Sequence, residues 1–307
     1  MKKEFLTLLM ALAPLAATAL ETVTLVLTAA PNHPTSAPML KLLDESNRIQ
    51  QDYLFVPEFK PGAEGTIGLK YMLEEPQKRL ATIAPAYVEA ISNGTINEQD
   101  YVPVFSQGDS CWAVITNLGD QRQGLDSLKG VKEIVVGGVG FGNAAHITGI
   151  MIGERYNIPV RYVVFKSNFD ALVNMAANGG VNMVLERVTS HTSFKPRNDK
   201  LQMLAMSCPR RHPDAPDVKT LKEVGLDAPY VFQVIMASQN MSLDKRQRIE
   251  TIFEEATKKI GARAIQTMSD QSPPVFYGMT SQQHFDQSVA RVRMLRKRYL
   301  AQIESAK

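Results

Sequence analysis

Cysteine is nearly absent from this chain: Cys111 and Cys208 are the only two in 307 residues. One disulfide is the most that count allows, and sequence alone does not say whether the two sulfurs meet. The five histidines, His33, His146, His191, His212 and His284, show neither H-E-x-x-H nor paired Cys/His spacing, so no metal or other cofactor is expected. No G-x-S-x-G is present, and Cys111 beside Trp112 has no base near it in sequence, so the chain does not read as an enzyme. A phosphate loop ending in G-K-[ST] is missing as well. Excess charge of one sign is also lacking, since the formal net charge is only +3. The clearest basic cluster, RVRMLRKRY with Arg291, Arg293, Arg296, Lys297 and Arg298, runs around a helix and reads as a solvated face, not a nucleic-acid site.

Long hydrophobic runs are scarce too. The one candidate, Phe5 to about Leu15, follows Lys2 and Lys3, contains Pro14 and falls short of the roughly 20 apolar residues that a membrane span needs. Small residues Ala16, Ala17, Thr18 and Ala19 come next, which is the pattern of a secretory signal cleaved after Ala19. The mature chain is therefore expected to be exported and soluble, without a lipid anchor.

What is present is a core-forming composition, 44% hydrophobic and 21% charged, at a length suited to two domains. Short β-branched runs alternate with helical patterns. Strands are expected at Thr22 to Leu27, Tyr53 to Val56, Leu80 to Ala84, Cys111 to Thr116, Ile134 to Val136, Val160 to Phe165, Val181 to Leu185, Leu201 to Met206 and Val231 to Ala237. Between them lie amphipathic stretches, among them Met39, Leu42 and Leu43, and Ile249, Ile252, Phe253, Ala256 and Ile260. A final helix opens with the capping box Thr280 to Gln283. Such alternation predicts an α/β class with parallel sheets covered on both faces.

The stretch VVGGVGFGNAAHITGIMIGERYN, Val135 to Asn157, organises the rest: a strand, a loop with glycine at 137, 138, 140 and 142, then a helix start. N–H groups at a helix start have no intrahelical partner and sit at the positive end of the dipole, so this loop is either an anion hold or a plain strand-to-helix turn. It is not a dinucleotide fingerprint, because the spacing is G-x-G-x-G and no acidic residue follows about 20 positions on. His146 reads as a partner for nearby backbone. Glu186 and Arg187 end a strand, where ligands of open α/β sheets bind, and carry two readings, ligand contact or surface ion pair; Phe165 and Lys166 carry the same two.

Four segments, in order and at matching separations, give the chain from about Thr22 onward a family likeness. PGAEGTIG at Pro61 to Gly68 is similar to PGAGGNIG, the glycine loop to GNGTSSHLAG, GGVN at Gly179 to Asn182 to GGQVD, and HPDAPDVKTLKEVGL from His212 to SPALPDVPTLAEAGL. These are motifs of the extracytoplasmic solute receptors of tripartite tricarboxylate transporters, the Bug or TctC-like receptors, which this sequence resembles. The resemblance implies a type II periplasmic-binding-protein fold, with two α/β lobes, a hinge and a ligand cleft between them. The implied division is signal 1–19, lobe one 20–105 plus 217–307, and lobe two 106–216. Cys111 and Cys208 then fall near the two crossings, compatible with a disulfide at the hinge.

The implied ligand set is Asn32, His33, Thr35, Ser36, Thr82 and Ala84 from lobe one, and Phe141, Gly142, Asn143, Ala144, Phe165, Lys166, Glu186 and Arg187 from lobe two. Several positions depart from the family. PPGGGTD becomes Pro31, Asn32, His33, Pro34, Thr35, Ser36 after Ala30; GYTLL becomes Arg79, Leu80, Ala81, Thr82, Ile83; and Asp-Asn becomes Glu186-Arg187. On this reading the protein is a monomeric periplasmic receptor. It captures a small organic anion, a carboxylate, and passes it to membrane transporter subunits. The alternative is a ligand sensor or interaction protein, for instance serving a sensor kinase.

Overall fold

The computed structural model describes residues 20–31, 35–118, 123–194 and 200–307. The expected signal (1–19) and the loop residues Asn32, His33 and Pro34 lie outside them.

The chain begins with β1 (Glu21–Leu27), α1 (Ser36–Ile49), β2 (Tyr53–Phe59), α2 (Thr66–Glu74), β3 (Arg79–Ile83) and α3 (Ala86–Ser92). β1 runs parallel to both β2 and β3. In β1 the side chains alternate as period two requires: Val23, Leu25 and Leu27 enter one core and Val26 the opposite one. Met39, Leu42 and Leu43 of α1 cover the first face, and Leu69 and Met72 of α2 the second, so the sheet is buried from both sides. Each such side chain contributes about 1.5–3 kcal/mol by leaving water.

The chain then enters β4 (Tyr101–Ser110) and, after Cys111 alone, β5 (Trp112–Thr116). β4 belongs to the first sheet and β5 to the second, so this is the first crossing. The second sheet follows with β6 (Ile134–Gly138), α4 (Ala144–Tyr156), β7 (Val160–Val164), α5 (Asn168–Ala176), β8 (Met183–Arg187), α6 (Val188–Phe194) and β9 (Gln202–Ser207). Cys208 starts the return, which reaches the first sheet at β10 (Val231–Ser238). The chain ends with α7 (Leu243–Ile260), α8 (Ala262–Ser269), β11 (Gln271–Ser272), α9 (Ser281–Arg298) and α10 (Leu300–Ser305). Sheet orders are β11-β4-β10-β3-β1-β2 and β7-β6-β8-β5-β9.

Two expectations change. The sheets are mixed: β10 runs antiparallel to β3 and β4, and β5 antiparallel to β8 and β9. A strand that continues almost unbroken from one sheet into the other keeps its direction and so meets its new neighbours head-on. The packing also departs from the expected cuts at 105/106 and 216/217. β4 stays in the first sheet through Ser110. Leu221, Leu226 and Ala228 pack in a second-sheet core, as do Leu295, Tyr299 and Ile303 from the C-terminus. The first part of α9 packs through Phe285, Val289 and Val292 in a first-sheet core, so α9 and α10 together strap the two sheets.

Candidate functional site

The second sheet presents three segments at the carboxyl edge of its parallel strands β6, β7 and β8. After β6 comes the glycine loop, built for closeness. A Cβ on Gly138 would collide with the Tyr162 hydroxyl, and Gly142 adopts φ +74°, the left-handed region open to glycine. Asn143 caps α4, its Oδ1 accepting from the His146 N–H at 2.9 Å. The Tyr162 hydroxyl lies 3.1 Å from the same Oδ1 and 3.2 Å from the Val139 carbonyl. His146 is 2% exposed, stacks on Tyr162 at 4.3 Å, and accepts at Nδ1 from the Gly142 N–H at 3.0 Å. Burial depresses its pKa to about 4, so at neutral pH the ring is an uncharged acceptor. The helix start is thereby held rigidly, with Phe141, Asn143 and Ala144 half-buried along it. Phe165 and exposed Lys166 follow β7; Phe165 donates its N–H to the Gly138 carbonyl at 2.8 Å and packs on the core beneath.

Glu186 and Arg187, expected in the cleft, are instead buried at 5% and 3% exposure. The antiparallel register sets Arg187 opposite Trp112, at the crossing. Its Nη1 donates to the Ser269 carbonyl at 2.7 Å. Glu186 Oε1 accepts from the Arg187 N–H at 2.8 Å and the Ser190 hydroxyl at 3.2 Å. Burial raises the Glu186 pKa and lowers that of Arg187, and each is opposed by the charge of the other. Fully buried Asp270 accepts from the Thr189 hydroxyl at 2.6 Å and lies 3.2 Å from His212 Nε2. Burial works against a charged His212, but Asp270 outweighs it and the pKa is raised. This polar knot ties the end of α8 to the second sheet.

The disulfide Cys111–Cys208 stands beside the knot, joining the two crossings with a Cα separation of 4.6 Å. The Cys111 N–H donates to the Asp270 carbonyl at 2.7 Å. On the other side of β4, Ser106 Oγ lies 2.7 Å from His284 Nδ1, and His284 Nε2 lies 3.3 Å from Asp109 Oδ1. This serine, histidine and aspartate stand in line. Ser106 is wholly buried and its Oγ accepts from the Gly108 N–H at 3.0 Å, so the line fastens α9 to β4. Among the described residues no cluster of His, Cys, Asp or Glu suits a metal ion, and no helix is long and apolar enough to cross a membrane.

On the first sheet, the ends of β1 and β3 are tied by Thr28 and Thr82. The Thr28 N–H donates to Thr82 Oγ1 at 3.1 Å, and the Thr28 hydroxyl to the Thr82 carbonyl at 2.9 Å. Ser36 Oγ donates to the Ala30 carbonyl at 2.8 Å, fixing the approach to α1 behind Thr35, and Ala84 is exposed. The structure thus gathers Ser36, Thr82 and Ala84 at one sheet edge and Phe141 to Ala144, Phe165 and Lys166 at the other. Sequence reasoning missed Thr28 and Arg296. Arg296 Nη1 donates to the Gly142 carbonyl at 3.0 Å and lies 3.5 Å from Glu89 Oε2. Its signal was the C-terminal basic cluster, which is largely paired: Arg291 bonds Asp227 and Arg293 bonds Glu98.

Two mixed α/β sheets joined by crossing strands make this the two-lobed fold of periplasmic solute-binding proteins. Among solved structures it is similar to the periplasmic binding protein BugD, at 17% identity and TM-score 0.70 over 92% of this chain and 97% of that one. A TctC solute-binding protein from Polaromonas superposes at 15% identity and TM-score 0.68, over 89% and 98%. An R. palustris protein solved with adipate does so at 16% identity and TM-score 0.71, over 90% and 96%. No protein-family model and no curated protein sequence matches this chain.

Proposed function

We propose that this chain is a receptor of the tripartite tricarboxylate type, exported to the periplasm, that captures a small carboxylate between two lobes and delivers it to membrane transporter subunits. The observation that carries this reading is the glycine loop. It is a pre-set helix start at the carboxyl edge of the second sheet, in a fold shared with a protein solved around adipate. Ala144 and Ala145 at the start of α4 offer backbone N–H groups, and Phe141 and Asn143 flank them. Lobe one is assigned 20–110 with 231–294, and lobe two 112–207 with 220–228 and 295–303, following the cores. Exposed Ala84 stands on the facing jaw with buried Ser36 and Thr82 supporting it, and Glu186 and Arg187 serve the hinge. Closure is a population shift toward a state in which the ligand touches both lobes, with no chemical step.

A sensor role for the same fold is favoured by one observation: the Thr82 hydroxyl is already engaged by Thr28, so the first jaw offers less than the second. Thermal unfolding of the purified protein with adipate, malate, citrate and acetate tests capture itself. A ligand at a hundred times its Kd adds about 2.7 kcal/mol to the native state and raises the melting point. No shift with any of the four at millimolar concentration refutes carboxylate capture.

A further inference from the structure

Arg296 stands where both jaws and the strap meet. It lies in the last turn of α9, between Val292 in a first-sheet core and Tyr299 in a second-sheet core. Its Nη1 reaches the carbonyl of Gly142, immediately before the cap of α4. The same nitrogen lies 3.5 Å from Glu89 of α3, the helix that begins two residues after Ala84. One guanidinium therefore bridges the glycine loop of the second sheet and α3, the helix that follows β3 of the first. Gly142 makes room for it, since a Cβ there would lie 2.9 Å from Nη1.

The two contacts differ in strength. The carbonyl bond is a full hydrogen bond at 3.0 Å. The Glu89 pair is at the long limit of a hydrogen bond, with side chains 24% and 40% exposed, and an ion pair of that kind is worth little. Among the described residues both contacts fall on Nη1, although arginine offers a planar fork that takes a carboxylate through two parallel bonds. A ligand carboxylate at the start of α4 would find that fork beside it and would compete only with a weak, half-solvated partner. We infer that Arg296 is a specificity-determining residue of the carboxylate site and that Glu89 is its resident competitor, displaced into solvent as the ligand enters. The inference rests on the glycine loop being a ligand jaw. The exchange swaps one carboxylate for another on the same guanidinium, so no charge is stranded.

Opposite effects from the two partners separate this role from a structural one. Calorimetric titration of adipate into the wild type, E89Q, R296Q and R296K is the test, with malate and citrate titrated into the wild type as well and a circular-dichroism melt of each variant. E89Q removes the competitor and should tighten binding by about threefold, whereas R296Q should weaken it by about tenfold, with R296K between. If Arg296 and Glu89 merely brace the strap, both E89Q and R296Q lower the melting point and neither tightens binding, which overturns the inference. Adipate binding that is equal in all four proteins overturns it too, while leaving carboxylate capture standing. Failure of the wild type to bind adipate, malate or citrate overturns both readings together.

Discussion

His146 is a neutral acceptor because its surroundings leave it no other role. Its Nδ1 takes the Gly142 N–H, its ring stacks on Tyr162, and burial holds its pKa near 4. The free imidazole titrates near 6.5, so between pH 6.5 and 4 the unfolded chain binds the proton that the folded chain refuses. This contribution is present in full above pH 6.5 and is lost as pH falls through that window. His212 works in the opposite sense: its raised pKa lends stability at low pH that is lost as pH rises through the folded value. Urea titrations from pH 7 to pH 4 should show a falling midpoint. In H146Q, which keeps an acceptor and does not titrate, the slope should flatten by up to about 3 kcal/mol over that range. An unchanged slope in H146Q rules this account out. The backbone role of His146 was readable because the residue follows a glycine loop and a cap residue. The place of Arg187 was not, because strand pairing with Trp112, invisible in the sequence, decides that it points into the hinge.

Among the elements, β4 shows most clearly where sequence patterning stops short. Its second half, Ser106, Gln107, Asp109 and Ser110, is polar yet buried, so neither the apolar run nor the alternation that marks a strand is present. Part of this polarity is met by tertiary partners, while Gln107 Oε1 and Asp109 Oδ1 are buried without a hydrogen bond. Ser281 and His284 bond Ser106, and Gln271 bonds Gln233 on the adjacent strand. The strongly periodic elements, such as α1, α7 and the strands around the glycine loop, stand as the pattern predicts. The short α3, β11 and α10 carry no such period. Gly108 shows how tight this strand is: it sits at φ +83°, and a Cβ there would run into the Ser272 carbonyl of β11. G108A should therefore cost about 3 kcal/mol or more, through backbone strain and displacement of a paired strand. Chemical denaturation measures this, and a loss under 1 kcal/mol (about the median for any substitution) would mean that β11 yields freely.

For the whole molecule, the decisive feature is that both crossings are fastened at one place. Cys111 and Cys208 close a sequence separation of 97 residues that holds all five strands of the second sheet. Cross-linking so long a loop restrains the unfolded chain strongly, and a loss of about 3–5 kcal/mol is expected for C111S/C208S or for the reduced protein. Differential scanning calorimetry with and without reductant tests this, together with thiol labelling of the unfolded chain, which should find two thiols only after reduction. Two reactive thiols without reductant exclude the bridge. At this scale the two-lobed plan was legible, because the motif order resembles that of known receptors. The boundaries were not, because core membership of Leu221, Leu295 or Ile303 follows from packing and leaves no mark on local composition.

The strap formed by α9 and α10 also orders events in time. The strands of the second sheet are complete once residue 207 has been made, yet Leu295, Tyr299 and Ile303 finish the core on one of its faces. Without these residues that face keeps three unfilled sockets, each large enough to weaken a core by a few kcal/mol. The second sheet therefore takes part of its core from a segment far from it in sequence, and it should fold together with the strap and not ahead of it.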